Sequence, residues 1–223
     1  MRKIDLLSSL HNKTKRDYLA RVNDKDFPKY KAAEIAKKWD YDYWDGDRRI
    51  NYGGYKYMPG RWADVAKKFI STYNLTNNSK ILDIGCGKGF LLYEISLLLP
   101  GINIYGIDIS DYAILNAKEE IKENLQVQNC TNLPFDKNYF DFTFSINTFH
   151  NLHCYDLEKA LKEMIRISKK NMYICVESYR NELEKQNLLY WQVTCESFYN
   201  ENEWLWWFNH CNYNGDYSFI YFE

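Results

Sequence analysis

The stretch ILDIGCGKGF, residues 81–90, followed by IYGIDIS, residues 104–110, decides how the chain is read. An apolar run of strand length enters a turn with glycine at 85, 87 and 89, and a helical pattern leaves it. A second apolar run ends on an acid, Asp108. Glycines at a strand-to-helix turn let backbone N–H groups approach a ligand closely. An acid ending the next strand can accept hydrogen bonds from both hydroxyls of a ribose. The two stretches together read as half of a nucleotide-cofactor site.

Working outward, strands are expected at 80–84, 103–108, 125–128, 140–146 and 171–177. Helical stretches separate them: 61–73, then the face of Leu91, Leu92, Ile95, Leu98 and Leu99, stopped by Pro100-Gly101. Ser110 is expected to cap a helix carrying Ile114, Ala117, Ile121 and Leu125, and Asp156 one carrying Leu157, Ala160, Leu161, Met164 and Ile165. This alternation implies an α/β fold, a Rossmann-like doubly wound and mostly parallel sheet. After Glu177 come helical stretches near 181–196 and 201–210, then one last strand, YSFIYF.

In front of this region, Leu6, Leu7 and Leu10 are the apolar anchors of a short amphipathic helix within residues 1–26. Asp26 and Pro28 read as the start of a helix reaching Trp39. Residues 40–61, DYDYWDGDRRINYGGYKYMPGR, are punctuated by Asp-Gly, Gly-Gly and Pro-Gly, yet dense in Tyr, Trp and Arg. A long ordered loop of that kind is either functional or structural. The expected division is a helical and aromatic-loop cap over 1–60, and a Rossmann-like domain over 61–223 with substrate-side helices at 181–210.

Bulk properties narrow the function. The 223 residues carry 30 acids against 29 Lys plus Arg, without long blocks of one sign, so no nucleic-acid footprint is visible. No apolar run approaches the ~20 residues of a membrane span, and Asp5 and Ser8 interrupt any secretory segment. The six cysteines form no CxxC pair and no zinc spacing, so reduced thiols, no metal and a cytoplasmic location are expected. The 20 Tyr and 7 Trp concentrate at 39–62 and 190–222, where they either pack or wall a ligand pocket. The partner is expected to be a small molecule, with neither nucleic acid nor membrane, and the protein a monomer or homodimer.

The cofactor follows from two acids. Asp83 precedes the glycines, where a carboxylate would repel a pyrophosphate and attract an ammonium. Asp108 stands at the ribose position. S-adenosylmethionine, with an ammonium and a sulfonium, suits that pair. Here the chain resembles the class I S-adenosylmethionine-dependent methyltransferases over about residues 61–180. Asp83-x-Gly85-x-Gly87-x-Gly89 is similar to the first motif of that family, whose acid and glycines hold the methionine end. NCTNLPF, 129–135, resembles the adenine-side segment, with Asn129 where an acid usually stands; its side-chain oxygen could accept the same bond. SINTFHNL, 145–152, resembles the segment lining the methyl-transfer site. The resemblance implies cofactor contacts from Arg61, Asp83, Gly85, Cys86, Gly87, Gly89, Asp108, Ile109, Asn129, Cys130 and Asn147. A looser likeness is to small-molecule methyltransferases of bacterial surface-carbohydrate biosynthesis. The family commonly ends its sheet with two strands; one is visible here.

Methyl transfer from a sulfonium needs an aligned nucleophile in a dry site and a group to take its proton. The ends of the fourth and fifth strands supply His150, His153 and Glu177 as catalytic candidates, with hydrogen bonding in a loop or helix capping as the plain alternative. Tyr52, Tyr55, Tyr57, Tyr179 and Trp191 are substrate candidates, and Glu196 is one by position. Arg61 could pair with a carboxylate, or be solvated at a helix start. The Asn/Asp-Pro-Pro-Tyr/Phe sequence that accompanies base or amide N-methylation in the family is replaced by Asn147-Thr148-Phe149-His150. The leading expectation is O-methylation of a sugar or sugar nucleotide. N-methylation of a small amine or amide, and a silent cofactor-binding scaffold or partner subunit, stand as alternatives.

Overall fold

The computed structural model describes residues 1–11, 16–53 and 55–223. Six strands form one sheet: β1 Lys80–Ile84, β2 Asn103–Asp108, β3 Leu125–Val127, β4 Phe140–Ile146, β5 Ser168–Glu177 and β6 Asp216–Ile220. Their order is β3-β2-β1-β4-β5-β6, and every pair is parallel. The order reverses beside β1, which opens the crevice where such sheets bind ligands, at the carboxyl ends of the strands.

Both faces of the sheet are covered, which is why the strands read as nearly continuous apolar runs. On one face Ile81, Phe142, Phe144, Tyr173 and Cys175 meet Val65, Ala66 and Phe69 of a helix at Ala63–Tyr73, and Leu92 and Ile95 of a helix at Phe90–Leu98. On the other, Leu82, Ile84, Phe140, Ile174 and Val176 meet Leu157, Leu161 and Met164 of a helix at Cys154–Ile167, and Trp204 and Phe208 of a helix at Glu201–His210. The period-two alternation within β1 and β5 sends successive side chains to opposite layers, and in β4 a register shift between Phe140 and Phe142 moves Phe140 to the layer opposite Phe142 and Phe144.

The N-terminal part holds short helices at Ser8–His11, Ala20–Asn23, Lys29–Ala36 and Tyr41–Trp44. Ala32, Ala36, Tyr43 and Ile50 bury against Val193 from the far end of the chain, with Trp39, Trp44, Tyr52 and Tyr55 around them.

Several elements differ from the sequence expectation. The single amphipathic helix within 1–26 is replaced by the two four-residue turns, and part of that stretch, 12–15, lies outside the described residues, as does Gly54. The helix expected to reach Trp39 stops at Ala36, and Trp39 takes a left-handed φ of 55°. The helix capped by Ser110 ends at Leu115, because the N–H of Lys118 is captured by the Lys88 carbonyl at 3.1 Å; a 3-10 turn, Glu119–Asn124, follows. Asp156 lies in the first turn of its helix and His153 at the cap position. The helix expected over 181–196 spans Glu182–Trp191, since Tyr52 Oη accepts the N–H groups of Val193 and Thr194 at 2.7 and 3.1 Å. Among the described residues no strand follows β6. Its edge is met by the N-terminal residues instead: Ile4 N donates to Tyr217 O at 2.8 Å, and Tyr217 N to Arg2 O at 3.0 Å.

Phe69 is fully buried, with ring centroids of Phe142, Phe144 and Tyr173 at 5.4, 5.1 and 5.3 Å. Phe69→Ala is expected to lower unfolding stability by about 3–5 kcal/mol, read from urea unfolding midpoints; a loss below about 1 kcal/mol would place the centre of this layer elsewhere.

Candidate active site

A cavity of about 480 Å³ opens at the carboxyl ends of β1, β2, β4 and β5. Its first half is made by the turn after β1. Gly85 N and Cys86 N both donate to Ile107 O, at 2.8 and 2.9 Å, which locks the end of β1 to the end of β2. Gly85 has φ of 84°, and a Cβ there would lie 1.9 Å from Thr148 Oγ1, so only glycine fits between β1 and the segment after β4. Gly87 N then donates to Asp108 Oδ2 at 2.8 Å, and Ser110 N to Oδ1 at 2.9 Å.

The third glycine does other work. Gly89, φ 74°, is the cap of the helix at Phe90–Leu98, and a Cβ there would meet Leu125 and Ile121 methyls at 2.8 and 2.9 Å. It does not line the cavity; it lets that helix pack against the β3 side.

Asp83 and Asp108 are both buried at the cavity wall. Burial pushes the Asp83 carboxyl well above the usual range, and Asp108 adds to the shift. Burial also raises Asp108, against the lowering effect of the backbone donors at Ser110 and Gly87. The basic residue of the turn, Lys88, is paired with Asp45 at 2.7 Å, and Tyr112 donates to the same carboxylate oxygen at 2.8 Å. Neither acid has a cationic partner among the described residues. Two buried acids without a cation fit a ligand that brings ammonium and hydroxyl donors, as S-adenosylmethionine does.

Other nominated cofactor residues divide. Cys86, Ile109, Cys130 and Asn147 line the cavity, and Arg61 lies on its wall with an exposed side chain near Met58 Sδ, 3.7 Å away. Asn129 also lines it, but its Oδ1 accepts from Thr131 N and Thr131 Oγ1, both at 2.9 Å. That oxygen is committed to its own turn, so the acceptor bond expected of it is not on offer.

The second half of the cavity holds His150 and Glu177, with Gln192 and Tyr52. Glu177 N donates to His150 Nδ1 at 3.4 Å, and His150 Nε2 stands 3.6 Å from Glu177 Oε2. Gln192 Nε2 donates to that carboxylate oxygen, and Tyr52 Oη donates to Gln192 Oε1 at 2.6 Å. Burial pushes Glu177 up to about 8 and His150 down to about 3. With Nδ1 accepting, the neutral imidazole carries its proton on Nε2, facing Glu177.

Trp191, Tyr52 and Tyr55 also line this half; His153, Tyr57, Tyr179 and Glu196 do not. His153 is exposed, 3.8 Å from Glu196, which also pairs with Lys37. Tyr57 donates to Glu94 at 2.8 Å, and Tyr179 is buried in the core with Lys185 over its ring. Gln192, Tyr43, Trp39 and Trp44 are wall residues that sequence reasoning did not nominate. The aromatic density of 40–61 was the available signal for Tyr43 and Trp44; nothing in the sequence marks Gln192.

Glu177 is held protonated well above the ~4.3 of an unfolded glutamate, so the native state binds more protons between about pH 4 and 8 and loses stability as pH rises through that interval. His150, lowered, acts oppositely, losing stability as pH falls from about 6.5 towards 3. In Glu177→Gln only the first slope disappears. The variant is expected to gain on the parent steadily from about pH 5 to 8 in urea unfolding, by a few kcal/mol at most; a pH-independent difference would mean that Glu177 is not protonated at neutrality. Gly89→Ala is expected to cost about 1–3 kcal/mol of stability and to leave cofactor affinity unchanged by calorimetry.

The sequence pattern of the methyltransferase domain family matches residues 75–212, more than half of the chain. The chain is similar to phosphoethanolamine N-methyltransferase 1 of Zea mays, 28% identical over 162 residues, which is 69% of this chain and 29% of that protein. It is also similar to the ubiquinone biosynthesis O-methyltransferase of Pelagibacter ubique, 27% identical over 173 residues, 73% of this chain and 68% of that one. The chain spans about a third of the length of the first two curated relatives it matches. A chain from the complex of the Haloferax volcanii Trm112 methyltransferase activator with a methyltransferase superposes with a TM-score of 0.55 at 22% identity, covering 66% of each chain. The YcgJ protein of Bacillus subtilis gives 0.53 at 20%, also over 66% of each. With its parallel sheet, glycine turn and paired acids, the chain belongs to the class I methyltransferase domain family, whose cofactor is S-adenosylmethionine.

Proposed function

We propose that the protein transfers a methyl group from S-adenosylmethionine to a nucleophile on a small molecule, with Glu177 as the group that takes the proton. The observation that carries this is one cavity lined by Asp83, Asp108 and the glycine turn on one side and by His150 and Glu177 on the other. When bound, the cofactor supplies an electrophilic methyl carbon on a sulfonium. Asp83 would hold its ammonium, Asp108 its ribose hydroxyls, and Asn147 the reacting region between the two halves. The aromatic wall keeps water from the reacting groups.

In this reading His150 is a positioning residue. Its Nδ1 lone pair is occupied by the Glu177 N–H, and its other nitrogen carries a proton, so it orients the carboxylate and does not itself act as base. Glu177, raised to about 8, is the better matched acceptor near neutral pH. Residues 1–60 serve as the cap and 61–223 as the catalytic domain. The relatives named above are named for a nitrogen and for an oxygen acceptor, and the sugar hydroxyl expected from sequence has no support in the cavity.

Calorimetry on the full chain tests the reading. S-adenosylmethionine and its demethylated product are expected to bind, and Asp108→Ala to weaken both by about 1.5–3 kcal/mol, roughly ten- to a hundredfold. No binding to the folded protein sinks the cofactor assignment; binding with no transfer to any acceptor favours a silent scaffold. Once an acceptor is known, kcat/KM is expected to rise as pH passes about 8, and Glu177→Gln to abolish that limb.

A further inference from the structure

The acceptor half of the cavity joins a buried carboxyl to a wall of aromatic rings. Glu177 is its buried carboxyl, 7% exposed, and no Lys or Arg forms an ion pair with it among the described residues. Its side-chain contacts are the amide of Gln192 and the neutral His150 ring. Arg16 also lines the cavity, and its charge reaches Glu177 through space without an ion pair; its guanidinium lies over Trp191 and Phe222, at 5.8 and 4.7 Å from their centroids. A buried carboxylate whose direct contacts are an amide and an imidazole is stabilised further by a cation brought against it from outside.

The walls match such a visitor. Tyr43, Tyr52, Tyr55, Trp39 and Trp191 line the same cavity. They form a continuous chain of contacts: Trp39 to Tyr43 at 4.7 Å, Tyr43 to Tyr55 at 5.2 Å, Tyr43 to Tyr52 at 6.1 Å and Tyr52 to Trp191 at 6.1 Å between centroids. The Tyr52 and Tyr55 hydroxyl protons are already donated within the wall. Tyr55 donates to Tyr43 at 2.8 Å, and Tyr52 is bound to Gln192 and to the Val193 and Thr194 N–H groups. What these residues offer a ligand is therefore ring surface, the electron-rich face that attracts ammonium groups. The same rings already host a cation away from the cavity: Arg21, which does not line it, lies 5.0 Å from Tyr52 and 4.9 Å from Trp191.

We propose that the methyl acceptor is a small amine, seated as its ammonium form against Glu177 in the box of Tyr43, Tyr52, Tyr55 and Trp191. The proposal rests on the methyltransferase reading of the cavity and names its substrate class. The ammonium gives one proton to the Glu177 carboxylate. The freed nitrogen lone pair forms a bond to the methyl carbon as the bond from that carbon to sulfur breaks, and the sulfonium becomes a neutral thioether. The product is an N-methylated ammonium, and Glu177 returns its proton to solvent. Substrate and product carry the same charge, so the box serves both.

The test uses the full chain saturated with S-adenosylhomocysteine, and choline as an ammonium probe that cannot be methylated on nitrogen. Its control is the neutral alcohol in which carbon replaces the choline nitrogen. By calorimetry choline is expected to bind at least about tenfold more tightly than the control. Glu177→Gln is expected to weaken choline about tenfold and to leave the control and S-adenosylhomocysteine unchanged. Equal binding of the two probes, or choline binding indifferent to Glu177→Gln, overturns the proposal while leaving the cofactor assignment standing. Failure of S-adenosylhomocysteine to bind overturns the underlying reading instead. A second measurement uses cofactor with a deuterated methyl group, offered with a set of small primary amines and a set of alcohols of matched size. Labelled methyl appearing by mass spectrometry on amines supports the proposal; label on the alcohols alone overturns it.

Discussion

Three carboxyl groups, Asp83, Asp108 and Glu177, are buried at the carboxyl ends of strands, and none forms an ion pair with a Lys or Arg among the described residues. Burying a charge unpaired is among the larger penalties in a folded protein. The fold meets that penalty in two ways. Asp108 is given backbone N–H donors by the glycine turn. Asp83 and Glu177 have their carboxyls shifted towards the protonated form. Lys88, which could have neutralised the turn from within, is drawn off by Asp45. The site is thus kept electrostatically incomplete, and a cofactor and acceptor bearing positive charge complete it.

What holds this cavity shut is the packing of the N-terminal segment over the sheet. Trp44 Nε1 donates to Ser110 Oγ at 2.8 Å, just beyond Asp108. Asp45 ties Lys88 to Tyr112, and Tyr52 reaches across to residues 192–194. The same residues that wall the acceptor half anchor the segment to the cofactor half. Residues 39–53 therefore touch both halves of the cavity.

The sheet was legible in the sequence because its signals are local. Strands buried on both faces leave unbroken apolar runs, and β1, β2 and β4 have the bounds read from those runs. The acids at strand ends were legible for the same reason. What could not be read depends on contacts between distant segments. The helix after Ser110 breaks at a bond from Lys118 to Lys88. The helix after Asn181 ends where Tyr52, 141 residues before Val193, accepts the backbone N–H groups that follow it. Gly89 looked like a ligand glycine by spacing, but its neighbours come from the region of β3. Histidine at 150 looked like a base by chemistry, and only the position of the Glu177 N–H shows which of its nitrogens is engaged.

The pairing of the N-terminal residues with β6 bears on how the molecule assembles. Arg2 makes a two-pronged contact with Asp216 at 2.9 and 2.7 Å, across 214 positions of sequence, beside the Ile4 and Tyr217 backbone bonds. Contacts between such distant segments are slow to form, because the loop entropy must be lost before any bond repays it. During synthesis residues 2–4 find their place only after β6 has been made. Until that contact forms, the edge of β6 presents open backbone groups to other chains.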